Sequence, residues 1–314
     1  MKTYKQWFIL LIFMIASSCS NEEDKNLQNN EIPNFVFEES RLLENYQIPK
    51  EDVISLQKLG FNESSAVVME KTDYLKNEIS IYYLMENEIE ISKDDLTSMT
   101  NELLKNKSTN QSKQYRTRLT VASPSEIRVT GVNISDVNLI RGLATAIDRY
   151  NALGLGLTFK LRMENARGPV KGSYLKYNSE ILVFQANTVG NFSNLNIMQT
   201  GYPSDSKPYP VIKVGLSAAM YSQNYIAHAY MHEIGHAIGL RHTDYFDNSI
   251  SCYGPSIDEG EGDEEAIHIE GTPARDDVDT ESIMLTCIPL QTLGEFSIAD
   301  ITALESMYSK TSQE

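Results

Sequence analysis

His232-Glu233-Ile234-Gly235-His236-Ala237-Ile238-Gly239-Leu240-Arg241-His242 spells HExxHxxGxxH. Residues four apart on a helix share one face, so His232 and His236 can direct two imidazole nitrogens at a single ion. Gly239 can take the left-handed backbone that ends a helix, swinging the chain so that His242 arrives as a third ligand. Three histidines leave one position of a tetrahedral zinc to water, which distinguishes a catalytic site from a structural one, and zinc brings that water's pKa to about 7. Glu233, beside the first ligand, is placed to accept the water's proton. His228 lies one turn before His232, but no glutamate follows it and no Gly-x-x-His stands at the right distance. It is read as a packed residue or one that orients a ligand.

The array resembles the metzincin clan of zinc endopeptidases. Ser282-Ile283-Met284 looks like the clan's Met-turn, which implies a Met284 thioether beneath the three imidazoles. Residues 231–246, MHEIGHAIGLRHTDYF, are similar to the dual-action HEIGH metallopeptidases of bacteria, as are Ala266-Ile267-His268-Ile269-Glu270-Gly271-Thr272-Pro273 and Ser282-Ile283-Met284-Leu285. The resemblance spans roughly residues 119–310. It implies an α+β fold with a mixed sheet, a zinc-binding helix, a Met-turn and a C-terminal helix, and it implies hydrolysis of peptide bonds. Some metzincins place a tyrosine two residues after the Met-turn methionine as an extra metal ligand. Here that position is Thr286, so transition-state help has to come from another residue.

The start of the chain bears on location. Lys2 and Lys5 precede an apolar run over residues 7–16, and Ala16-Ser17-Ser18-Cys19 closes it with small residues. The run is too short for a membrane-spanning helix of about 20 residues. Residues 1–18 resemble a bacterial lipoprotein signal, cut before Cys19, which then takes the lipid. Ala16 stands where leucine is usual, so a secretory signal with an incidental cysteine is the alternative. The acidic tether, residues 19–26, begins Cys19-Ser20-Asn21-Glu22-Glu23-Asp24 and looks like the surface-export signal of Bacteroidota lipoproteins. The expected address is the outer face of the outer membrane.

After Cys19 only Cys252 and Cys287 remain. In an oxidising compartment the expectation is a disulfide that clips the acidic loop between them to the floor of the site, with two buried thiols as the alternative. The same inventory excludes a cysteine as a latency switch. A blocking residue has to be a carboxylate, or the bulk of the preceding segment itself.

With 27 basic against 43 acidic residues the net charge is -16, which repels nucleic acid and anionic lipid head groups. The expected partners are a protein or peptide substrate and a membrane reached through the lipid alone. The length suggests two units, and no internal repeat is present. The linker is placed at residues 106–118, which open with the polar run Asn106-Lys107-Ser108-Thr109-Asn110-Gln111-Ser112-Lys113-Gln114 and carry Arg116 and Arg118 as an exposed place for processing. Upstream, residues 27–105 read as a small α+β region, with strands at 79–85 and 89–91 and a capping box at Ser92-Lys93-Asp94-Asp95. This region is either a removable pro-segment or a spacer.

Residues 119–314 read as the catalytic domain. Strands are expected at 126–129, 157–162, 180–184 and 211–214, with a helix capped by Ser135 and ended by Gly154 between the first two. The metal-binding helix is expected over 222–240, apolar nearly all round and therefore buried. Ser297 and Asp300 stand at capping-box spacing at the start of the last helix, where the family resemblance also implies that Asp300 braces the active site. Residues 258–265 are rich in Asp and Glu with two glycines. They could bind Ca2+, although the spacing matches no known calcium loop and a solvated loop is the plainer reading. Asp244 either accepts a hydrogen bond from an imidazole or caps a turn.

The composite reading is a zinc-dependent endopeptidase. Two rivals share the same metal site: a zinc amidase or esterase acting on a non-protein substrate, and a cell-surface binding module with a structural zinc.

Overall fold

The helix that carries the motif, α4 (Gln223–Ile238), is buried from Tyr225 to its end, as its all-round apolar pattern requires. The Ser222 side chain accepts from Tyr225 N–H at its start, and Gly239 ends it in the left-handed region at φ 115°. The computed structural model that shows this describes residues 37–74, 77–105, 115–123, 125–165, 178–186, 197–260, 267–273, 275 and 277–310. The signal, Cys19 and the acidic tether lie outside the described residues, as do residues 106–114 of the linker.

A mixed five-stranded sheet supports α4. Its strands are β6 (Ser125–Val132), β7 (Leu157–Glu164), β8 (Ile181–Ala186), β9 (Met198–Gln199) and β10 (Val211–Gly215), ordered β7-β6-β8-β10-β9. The first four in that order run parallel and β9 is an antiparallel edge. Helix α3 (Val137–Ala152) makes the crossover from β6 to β7 and packs on α4. Its Leu139, Leu143, Ile147 and Tyr150 are buried, the face expected from their spacing. The cap is not Ser135, however. Asp136 accepts from Asn138 N–H and Leu139 N–H at 2.8 and 3.1 Å, because its carboxylate, one residue later, reaches two free amides. The last helix, α5 (Ile298–Tyr308), closes the layer. The Tyr308 hydroxyl donates to the carbonyl of Ile238, one of the acceptors that the end of α4 leaves free.

The upstream region is an antiparallel sheet in sequence order: β1 (Glu38–Leu42), β2 (Val67–Asp73), β3 (Glu78–Met85) and β4 (Ile89–Ser92). Helices α1 (Lys50–Lys58) and α2 (Lys93–Lys105) accompany it, sharing a core of Leu56, Tyr83, Ile91, Leu96 and Met99. The Ser92 hydroxyl accepts from Asp95 N–H at 3.0 Å, as the capping spacing predicted.

Phe35–Glu314 form one compact unit, so the upstream sheet is continuous with the catalytic layer. Two devices join them. Thr200, just beyond β9, bridges Ile89 in parallel fashion, with Glu90 N–H donating to Thr200 at 2.7 Å and Thr200 N–H donating to Glu88 at 3.0 Å. Behind that bridge Lys71 and Lys213 meet Glu38 and Glu90, all four side chains at most 8% exposed, with Lys71–Glu90 at 2.5 Å and Lys213–Glu38 at 2.7 Å. Two cations and two carboxylates cancel in charge, which is what makes their joint burial tolerable; removing one would strand a charge. Beyond the linker's polar run, β5 (Tyr115–Arg116) pairs with β11 (Ile267–His268). Arg116, which lies in this ribbon, and Arg118, two residues beyond it, are half-buried rather than exposed.

Candidate active site

The turn at Gly239 does what the motif requires. Leu240 N–H donates to Gly235 at 2.8 Å, closing the helix and turning His242 back toward its first two partners. The left-handed φ calls for glycine, and a Cβ at residue 239 would in addition press to 3.1 Å from both the Leu119 carbonyl and the Thr117 hydroxyl.

The three imidazoles converge through Nε2, with separations of 2.9 Å for His236–His232, 3.2 Å for His236–His242 and 3.2 Å for His242–His232. Each Nδ1 faces an acceptor: the Ile283 carbonyl at 2.7 Å from His232, the Leu240 carbonyl at 2.9 Å from His236, and the Glu259 carboxylate at 2.9 Å from His242. Those acceptors fix the proton on Nδ1 and turn the Nε2 lone pairs of His232 and His236 toward each other. Burial, with His232 beside it, pushes His236 down to about 3 and keeps it neutral. Facing lone pairs repel unless a cation lies between them. A tetrahedral ion with bonds of about 2.05 Å would set its ligands about 3.3 Å apart, close to this triangle. The residues therefore fit a metal held by His232, His236 and His242.

Glu233 is 3% exposed and lines a cavity of about 40 Å³ together with Glu88, Met198, His232 and Thr286. Among the described residues its Oε2 has no hydrogen-bond partner. Burial, reinforced by the Glu88 carboxylate, holds its carboxyl well above the usual range.

Met284 lies under the helix. A Cβ on Gly235 would sit 2.6 Å from the Met284 sulfur, so glycine is what lets the turn approach α4. Asp300 holds that turn from behind, accepting from the Ser282 hydroxyl at 2.6 Å and from Ile283 N–H at 2.9 Å. It also completes the capping box with Ser297, so capping and bracing are one carboxylate's two roles. His228 is packed: its Nδ1 meets the Thr292 hydroxyl at 2.7 Å and its Nε2 the Ile283 carbonyl at 3.2 Å. Burial pushes it down to about 3.

Asp244 resolves differently from both sequence alternatives. Its carboxylate accepts from Thr286 N–H and the Thr286 hydroxyl at 2.9 and 2.8 Å and from the Ser251 hydroxyl at 2.6 Å, tying two loops together. Ser251 in turn accepts from Cys287 N–H at 3.0 Å, beside the Cys252–Cys287 disulfide.

Two carboxylates at the centre were missed. Glu259 belongs to the acidic run read as a solvated loop or a calcium site, yet it is 4% exposed and holds His242. Its backbone explains the burial, since Glu259 N–H donates to Tyr245 at 2.8 Å and its carbonyl accepts from Asn62 N–H at 2.8 Å. Residues 261–266 of the same run lie outside the described residues. Glu88 is the other. Its carboxylate stands 2.5 Å from His242 Nε2, 3.5 Å from His236 Nε2 and 3.7 Å from His232 Nε2. The available signals were the two strands flanking residues 86–88, which put Glu88 at a hairpin tip, and the absence of cysteine, which required a carboxylate for any block. Neither signal selected Glu88.

The chain belongs to the dual-action HEIGH metallo-peptidases, whose family model matches residues 83–308. The match opens on β3, so it includes the hairpin that carries Glu88. Among solved structures, one of myroilysin is 17% identical, covering 62% of this chain and 98% of that chain at a TM-score of 0.37. A crystal structure of the same protein is 13% identical, covering 62% and 87% at a TM-score of 0.36. No curated protein matches.

Proposed function

We propose that this HEIGH metallopeptidase is a zinc endopeptidase in which Glu233 handles the protons of peptide-bond hydrolysis. The observation that carries the reading is the convergence of three Nε2 atoms beside a buried carboxylate with an unengaged oxygen. Zinc in the triangle supplies polarisation of the scissile carbonyl and acidification of the attacking water. Glu233 takes the proton from that water and delivers it to the leaving amine, a task suited to a carboxyl that burial holds above the usual carboxylate range. Ile283, Leu240 and Glu259 hold the imidazoles in one tautomer through their Nδ1 protons.

The test uses the zinc-loaded full chain and its Glu88→Ala variant, each incubated with a peptide library, casein and simple ester and amide substrates, with and without a chelator. Chelator-sensitive cleavage of internal peptide bonds in either protein is the expected result. Turnover of esters or non-peptide amides alone would favour the amidase or esterase reading. One bound zinc with no turnover in either protein would favour a structural metal in a binding module.

The reading also places the enzyme at a membrane surface, held by lipid on Cys19. It rests on the signal-like residues 1–18 and on the fact that, among the described residues, no helix is long and apolar enough to cross a membrane. Cys19→Ser is expected to move the protein from the membrane fraction to the soluble one. A variant that stays with the membranes would refute lipid as the sole anchor, and protease shaving of intact cells tests display on the outer face.

A further inference from the structure

We propose that Glu88 is an internal ligand of the metal, and that the chain as folded here is a latent enzyme whose upstream hairpin fills the place of water and substrate. The proposal rests on the reading of the histidine triangle as a zinc peptidase site.

The geometry of the carboxylate is the first support. An ordinary ion pair engages one imidazole, whereas the two Glu88 oxygens lie within 2.5 to 3.7 Å of all three Nε2 atoms. Glu88, His232, His236 and His242 are all buried, and their ligand atoms lie within 4.8 Å of one another. A metal held by the three imidazoles would need one further ligand, and Glu88 is a carboxylate whose oxygens lie against all three Nε2 atoms.

The hairpin is shaped to make this delivery. Glu86 and Asn87, at its tip, both adopt left-handed backbone, with φ of 56° and 64°, and Glu88 N–H closes the turn on the Met85 carbonyl at 3.0 Å. Two left-handed residues give the tight turn whose twist matches a two-stranded ribbon. Asparagine is at home there, but glutamate is not, so the turn holds a conformation that the chain does not choose locally. Glu86 itself points inward, 3.6 Å from Arg241 and 3.8 Å from His242.

The backbone beside Glu88 closes the groove as well. Glu88 and Glu90 bond Thr200 on both sides, capturing main-chain groups next to the edge strand β9 that an extended peptide approaching the metal would use. Two residues beyond Glu88, Glu90 enters the buried Lys71–Lys213 network. On the other flank, Arg241 donates to the carbonyls of Gly60 and Gly260, both at 3.2 Å. The buried charges and the Thr200 bonds hold the hairpin on one side, and on the other Arg241, itself bonded to two neighbouring loops, faces Glu86. Losing the Glu88 carboxylate frees the position beside the histidines, and full opening of the groove further requires the hairpin to leave Thr200.

The alternative within this geometry is a closed structural site, because four protein ligands leave no position for water. The experiment separates the two. The full chain and the Glu88→Ala and Glu88→Gln variants are loaded with Co2+, titrated with acetohydroxamate and followed by visible absorption; the zinc forms are assayed on the peptide library. The expected result is a wild-type spectrum that acetohydroxamate leaves unchanged, variant spectra that it shifts, and peptide hydrolysis at least about 100-fold faster in Glu88→Ala, the factor hidden by a hairpin closed in 99 of 100 molecules. Glu88→Gln keeps the side chain's shape and serves where the alanine variant does not fold. Identical spectra and equal responses to acetohydroxamate in wild type and variants would overturn the proposal, as would wild-type hydrolysis as fast as the variant's. An open cobalt site in Glu88→Ala whose zinc form hydrolyses no peptide, including ones too short to need the groove beside Thr200, would overturn the peptidase reading while leaving Glu88 a ligand.

Discussion

Glu233→Ala, made in the Glu88→Ala background so that the site is open, is expected to retain one zinc per chain and to lose at least about 10² to 10⁴ in rate. None of the three imidazoles depends on Glu233 for its tautomer: the Nδ1 acceptors are Ile283, Leu240 and Glu259. Truncating Glu233 therefore leaves the metal-binding triangle in place. What disappears is the buried group that accepts the water's proton, and no other described side chain with a raised carboxyl lines that cavity. Glu233→Gln should fall nearly as far, because it preserves shape and removes basicity. Zinc content by elemental analysis and initial rates on one peptide decide the matter. Retained activity would end the assignment of Glu233 as base, and loss of zinc in the same variant would recast the residue as structural.

The readable part of this site is the part written locally. His232, His236, Gly239 and His242 lie on one helix and its terminal turn, so helical period and left-handed glycine geometry suffice to bring them together. Met284 and Asp300 were legible through the family likeness and through capping-box spacing. The α3 cap was misplaced by one residue because Ser135 and Asp136 are both good caps, and only the backbone decides which one faces the free amides.

Glu259 and Glu88 were not readable for a different reason. Each is one acidic residue among many in a chain of net charge -16, and each is selected by tertiary pairing. Glu259 is fixed by backbone bonds to Asn62 and Tyr245, and Glu88 by the turn over residues 86–88 and by Thr200. The same pairing explains why a polar linker suggested two units where the structure has one compact unit over Phe35–Glu314.

The largest effect on stability is expected from Asp300→Ala. Asp300 is 1% exposed, and burial raises its carboxyl, an effect that the hydrogen bonds from Ser282, Ile283 and Ser297 oppose. Replacing it strands the Ser282 hydroxyl, Ile283 N–H and Ser297 N–H. Each buried donor left unmade costs about 1 to 3 kcal/mol, and partial access of water near Ser297 trims the sum to roughly 3 to 5 kcal/mol. For a chain of this size that corresponds to a fall in Tm on the order of 10 °C. The loss should also reach the metal, because the Ile283 carbonyl is the acceptor that orients His232 and Met284 packs beneath the helix at Gly235. Removing such an outer partner typically weakens metal binding about 10- to 100-fold. Asp300→Asn, which keeps an acceptor and the shape, should fall between wild type and alanine in both measurements. Thermal unfolding of the metal-free chains isolates the packing loss, and zinc competition against a chromophoric chelator reads the effect on the site. An alanine variant with wild-type Tm and wild-type zinc affinity would show that the turn beneath the histidines holds its shape without Asp300.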